Sequence, residues 1–113
     1  AYFRTPDEVK AGQATVGEAM RLGGMVAKGS ISRLPDGVTI RFVATDGKAE
    51  LPVEFTGIVP DLFAEEGGMV ADGRMREAGT FVADRILAKH DERYMPPQMG
   101  DMPDAVAKSV TKS

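Results

Sequence analysis

One histidine, His90, stands in 113 residues, within the stretch Leu87-Ala88-Lys89-His90-Asp91-Glu92-Arg93-Tyr94-Met95-Pro96-Pro97. Tyr94, one of two tyrosines, follows four residues later, so on a helical turn the two side chains would share a face. Pro96 biases Met95 toward extended geometry and Pro97 follows it, so a turn or one brief helical segment is the most that fits. Lys89, Asp91, Glu92 and Arg93 surround the pair with charge and predict an exposed segment. The bland reading is a solvated surface histidine. The chemical reading starts from the neutral imidazole, a nucleophile and metal ligand near neutral pH. A phenolate is a hard donor suited to ferric iron, and tyrosine-ligated haem is a known arrangement. One residue holding a porphyrin covalently and one ligating its iron satisfies the spacing, although spacing alone does not single this out.

Other chemistries are weighed against it. Met95, Met99 and Met102 with His90 form a soft-ligand set suited to Cu(I), the alternative function considered, in which Tyr94 and the Pro-Pro pair have no role. The absence of cysteine removes disulfides, thiol catalysis, iron–sulfur clusters and thiolate zinc sites together. A triad cannot be assembled from one histidine with Asp91 beside it in sequence, and no nucleophile motif is present, so the chain reads as a non-enzyme. Formal net charge is −3 and no Lys/Arg cluster occurs, which argues against a nucleic-acid partner.

The elements that must present this loop are readable from punctuation and period. The chain is long enough for one domain with its own core. Thr5-Pro6-Asp7-Glu8 is a capping box with proline at the first helical position, predicting a short helix that stops at Gly12. A long first strand is expected from about Arg21 to Leu34, bent at Gly23-Gly24 and Gly29. Val38–Phe42 and Leu51–Phe55 alternate apolar and polar residues around an Asp46-Gly47 hairpin turn, with Pro52 marking an edge or bulge. Pro60–Gly67 reads as a two-turn helix, followed by strands at Met69–Arg76 and Thr80–Ala88 joined by Glu77-Ala78-Gly79. The order predicts an all-β fold, a five-stranded OB-fold Greek-key barrel with a short helix between strands 3 and 4 and a flexible C-terminal tail. Inward candidates are Leu22, Val26, Val38, Ile40, Phe42, Val53, Phe55, Leu62, Met69, Phe81 and Ile86.

The motif His90-Asp91-Glu92-x-Tyr94-x-Pro96-Pro97 resembles the signature of the CcmE family, the haem chaperones of cytochrome c maturation. Arg21–Val26 is similar to the family's first strand, Gly57–Phe63 to its strand-to-helix segment, and Val82–His90 to the run leading into the histidine. The resemblance implies covalent, transient haem binding, with His90 bonded to a haem vinyl group, Tyr94 as axial iron ligand, and delivery to apocytochrome c. Lys89 and Arg93 are candidates to pair with the propionates, each contributing at most about 1 kcal/mol if exposed. Leu87, Met95 or an exposed strand residue could supply the apolar surface a porphyrin face needs. Implied partners are membrane components that load haem, an ABC-type transporter and a haem ligase, with apocytochrome c reached indirectly. The implied location is the bacterial inner membrane, with one N-terminal anchor and the domain facing the periplasm. Ala1-Tyr2-Phe3-Arg4, an aromatic pair before a basic residue, fits the boundary such an anchor would leave. The expected organisation is residues 1–20 as a segment following a removed anchor, 21–97 as the OB-fold domain with its His/Tyr loop, and 98–113 as a flexible tail.

Overall fold

The structure, a computed structural model, describes residues 2–89. The elements run β1 (Tyr2–Arg4), α1 (Pro6–Lys10), β2 (Ala19–Val26), β3 (Ser32–Arg33), β4 (Thr39–Thr45), β5 (Glu50–Thr56), β6 (Gly68–Met75) and β7 (Phe81–Lys89). The strands are ordered β1-β2-β6-β7-β5-β4-β3, and a further β2–β4 pairing closes β2, β6, β7, β5 and β4 into a barrel. This is the OB-fold order expected from the pattern. Closure is made by the end of β2, where Met25 and Val26 pair with Thr45 and Ala44. The other half of that edge is covered by β1, with Tyr2, Phe3 and Arg4 parallel to Met20, Arg21 and Leu22.

Alternation along the strands sends one face inward. The core contains Leu22, Val26, Ile40, Phe42, Val53, Phe55, Met69, Phe81 and Ile86, as the periodicity predicts, and adds Met20, Ala44, Leu51, Ala71, Met75 and Ala83. Val38 and Leu62 are corrections, because both are exposed. Val38 precedes the first β4–β5 rung, Thr39 to Thr56, so the strand's pleat does not govern it. The first closed strand is also shorter than expected. It starts at Ala19 and stops at Val26, and Ser30 N–H donates to Ala27 O at 3.2 Å in the turn that follows. Pro52 lies where β5 is paired with β4 alone, since pairing with β7 begins at Val53.

The helix expected at Pro60–Gly67 is not formed. Two successive turns take its place, with Phe63 N–H donating to Pro60 O at 3.0 Å and Gly67 N–H to Ala64 O at 3.1 Å. The competing bonds are tertiary: Glu66 N–H donates to Val26 O at 2.6 Å and Val26 N–H to Gly67 O at 2.9 Å. Stapled to the end of β2, the segment cannot continue a helical ladder, and Glu66 takes a left-handed φ of 67°. It still delivers Phe63 edge-on to Phe42, with ring centroids 5.0 Å apart.

Glycine is required where the wall is tightest. The β6–β7 ladder shifts register between Asp72 and Gly73, and a Cβ on Gly73 would overlap the Val82 carbonyl oxygen.

Candidate functional site

Strand direction sorts the loops into two ends. β2, β5 and β7 run one way and β4 and β6 the other. One end therefore carries the β4–β5 hairpin and the β6–β7 turn. The opposite end carries the 27–38 and 57–67 connections and the C-terminus of β7.

The hairpin end is closed by the N-terminal segment. Thr5 and Glu8 form the predicted capping box, with Glu8 N–H donating to Thr5 Oγ1 at 3.3 Å and Thr5 N–H to Glu8 Oε1 at 2.9 Å. Asp46 accepts from Asp7 N–H, Lys48 N–H and Ala49 N–H at 2.9–3.0 Å, tying α1 to the hairpin. Burial works against the Asp46 charge, but those N–H donors prevail and hold its carboxyl below the usual range. Val9 and Ala14 pack against the core.

The other end is plugged by Ile31, Val59 and Phe63, yet it leaves apolar side chains in solvent. Ile58 is 95% exposed, Leu62 55% and Val38 52%; a fourth exposed large apolar residue, Val16, follows α1. Gly57 brings this about. Its φ of 138° suits glycine, and a Cβ there would lie 3.3 Å from the Phe55 ring, so the chain turns sharply and throws Ile58 outward. Gly37, Val38, Ile40, Gly57, Ile58, Val59 and Arg33 line an open groove of about 380 Å³.

Hydrogen bonds fix the groove's walls. Gly57 N–H donates to Val38 O at 3.1 Å, and the Thr39 and Thr56 hydroxyls lie 2.7 Å apart. Asp36 accepts from Val38 N–H at 2.9 Å, Thr39 N–H at 2.8 Å and the Thr39 hydroxyl at 2.6 Å. That hydroxyl is the main cause of a carboxyl held below its usual range, followed by the two N–H groups and the nearby Arg33. The Arg33 guanidinium donates from Nη1 to Gly37 O at 3.0 Å and is exposed.

β7 runs toward this same end. Its last residue, Lys89, pairs with Gly68 of β6, and Leu87, half-buried, pairs with Val70. His90, Arg93 and Tyr94 lie outside the described residues, as do Met95, Met99, Met102, the Lys89 side chain and the tail 98–113. Among the described residues no cluster of histidine, aspartate and glutamate is arranged to hold a metal, and no helix is long and apolar enough to cross a membrane. Sequence reasoning had not assigned Ile58, Val38 and Arg33 to any site. The only local signal was an apolar residue directly after a strand-ending glycine.

On the outer wall, Arg41 and Arg76 both reach Glu54 and hold its carboxyl low, Arg41 most strongly. Arg21 Nε lies 2.7 Å from Asp72 Oδ1 with the same effect.

Comparison with known proteins resolves what this barrel belongs to. A solved telomere capping protein Ten1 from Saccharomyces pombe superposes with a TM-score of 0.60 over 96% of both chains, at 18% identity, a likeness of fold alone. The OB-fold domain of the heme chaperone CcmE from Desulfovibrio vulgaris, solved in solution, gives a TM-score of 0.58 at 26% identity, covering 65% of this chain and 88% of that one. A cytochrome c-type biogenesis protein CcmE from Sphingopyxis alaskensis is 76% identical over 110 residues, 97% of this chain and 76% of the relative. The model of the CcmE domain matches residues 1–97. Barrel, loop motif and relatives agree, and the chain belongs to the CcmE family of cytochrome c-type biogenesis proteins.

Proposed function

We propose that this protein is a haem chaperone that binds haem covalently and transiently through His90 and passes it on toward apocytochrome c. The observation that carries the reading is the extent of the family match, which runs to residue 97 and so includes the whole His90–Pro97 segment. The related domain from Desulfovibrio vulgaris is described as a heme chaperone.

The chemistry is economical. Addition of the imidazole N–H across a haem vinyl double bond forms one N–C bond, needs no oxidant and expels nothing. Its reversal regenerates both partners, as a carrier requires. Tyr94 supplies a phenolate to the ferric iron. Lys89 and Arg93 flank His90 in the sequence and are the cations assigned to the propionates in this reading. A loop on a rigid barrel suits a carrier better than a deep pocket, because the cargo must also leave. The remaining assignments follow from this reading: an N-terminal anchor in the bacterial inner membrane, a periplasmic barrel, and haem-loading components, an ABC-type transporter and a haem ligase as partners.

The test is intact mass under denaturing conditions, on protein made with its anchor in cells that run cytochrome c maturation. A species heavier by one haem, lost in His90→Ala, is expected. Retention of haem by His90→Ala through denaturation would remove His90 from the attachment role.

A further inference from the structure

We infer that the outer wall of the barrel, where β4, β5, β7, β6 and β2 lie side by side, is a docking surface for a carboxylate-rich segment of a partner protein. Strand pairing gathers residues distant in sequence into two rows. Arg41, Glu54, Val82 and Arg74 follow one another across β4, β5, β7 and β6. Arg21, Asp72 and Arg85 follow one another across β2, β6 and β7. Arg76, two residues beyond Arg74 on β6, reaches Glu54 at 3.3 Å. Five arginines thus share one wall of a chain whose net charge is −3, and no lysine stands in either row.

The carboxylates of the wall do not neutralise it. Glu54 is shared by Arg41 and Arg76, and Asp72, bonded to Arg21, has Arg85 as its partner on β7. Each of these acids leaves one guanidinium charge in excess. Arg74, whose Nη1 donates to the neutral Gly17 carbonyl, adds another. Asp84, the extra residue of the β7 bulge, returns one negative charge, and Glu50 stands apart at the hairpin margin.

Depth matters as much as charge. The Glu54 side chain is 13% exposed, whereas those of Arg41 and Arg76 are 50% and 48% exposed. The acid is the floor and the guanidinium groups are the rim, held in place before any partner arrives. Half-buried Val43, Pro52 and Val82 fill the ground between them. Arginine set among apolar side chains, with lysine left out, is the composition of a protein interface, whereas lipid-binding clusters draw on both cations. Neither row contains an aromatic ring on which a nucleobase could stack. Fixed guanidinium forks match planar carboxylates, which accept two parallel N–H bonds from one arginine. The wall needs no haem for this role.

The experiment is a titration of the isotope-labelled chain with a decaglutamate peptide blocked at both ends, followed residue by residue by NMR, with decaglutamine as the neutral control. Decaglutamate should shift the amides of β4, β5, β6, β7 and the first half of β2, and decaglutamine should shift none. Arg41→Gln with Arg76→Gln should weaken the peptide about tenfold, the scale of two exposed ion pairs. Arg74→Gln with Arg85→Gln, which leaves both Glu54 pairs intact, should do the same. Lys28→Gln with Lys48→Gln, off the wall, should stay within about twofold of the parent. No decaglutamate binding, or affinities within about twofold of the parent in both arginine variants, would overturn the proposal. An equal loss in the lysine variant would overturn it too, by reducing the effect to overall charge. Capture by phosphatidylglycerol vesicles or by a short oligothymidylate, lost in the arginine variants while decaglutamate binding persists, would give the wall a phosphate-bearing occupant instead.

Discussion

The two ends of the barrel are built from the same strands but finished differently. At the hairpin end the fold is tightened by a capped helix, a buried Thr5 and Pro6, and one carboxylate bonded to three N–H groups, with Val16 alone among the exposed large apolar residues near it. At the other end a plug of Phe63, Val59 and Ile31 sits beneath side chains that contribute little to folding because they remain in solvent. The plug preserves the core while the rim's large apolar side chains stay in solvent.

The largest expected effect concerns the plug. Phe63→Ala removes a ring packed on Phe42 and should cost about 3 kcal/mol, measured by denaturant unfolding. A cost below about 0.5 kcal/mol would mean that the open end has no structural layer and would break the comparison.

Next comes the hairpin end. Asp46→Ala leaves the Asp7, Lys48 and Ala49 N–H groups without their acceptor and should cost about 2 kcal/mol near neutral pH. Its pH signature follows from linkage. The Asp46, Glu54 and Asp72 carboxyls all titrate lower when folded than their ordinary values of 3.8, 4.5 and 3.8. The unfolded chain therefore binds protons first as pH falls. Their stabilisation is complete above those ordinary values and is lost as pH drops through the lower folded ones. The melting temperature should hold steady down to about pH 5 and fall below about pH 4, and Asp46→Ala should show a shallower acid limb. An identical acid limb in both proteins would assign acid sensitivity elsewhere.

The smallest effect is at the rim. Ile58→Ser should change stability by no more than about 0.5 kcal/mol, since the side chain is exposed in the folded protein. A loss near 2 kcal/mol would show that Ile58 is a core residue after all and would merge the two ends into one design.

Much of this was legible in the chain itself. Thr5-Pro6-Asp7-Glu8 encodes its own helix start, because the capping box is a local exchange of hydrogen bonds. Asp46-Gly47 encodes its hairpin, and period-two alternation put Ile40, Phe42, Val53 and Phe55 inside. The failures have one cause. Pro60–Gly67 has helical punctuation, but the Glu66 and Gly67 bonds to Val26 outcompete a two-turn helix that has little stability alone. Val38 and Leu62 look like core by type, yet whether an apolar side chain is inward depends on which strands pair beside it.

By itself, then, the sequence determined the strand periods, the caps and turns, and the His90–Pro97 motif with the chemistry its residue types permit. These rest on neighbours close along the chain or on the identity of single side chains. Only the tertiary structure decided which end of the barrel β7 points toward, and that Val38, Ile58 and Arg33 meet there. Barrel closure, through Met25 and Val26 on Thr45 and Ala44, and the parallel run of β5 beside β7 are pairings between residues distant in sequence. Such pairings are selected by the free energy of the whole core, which no local stretch encodes.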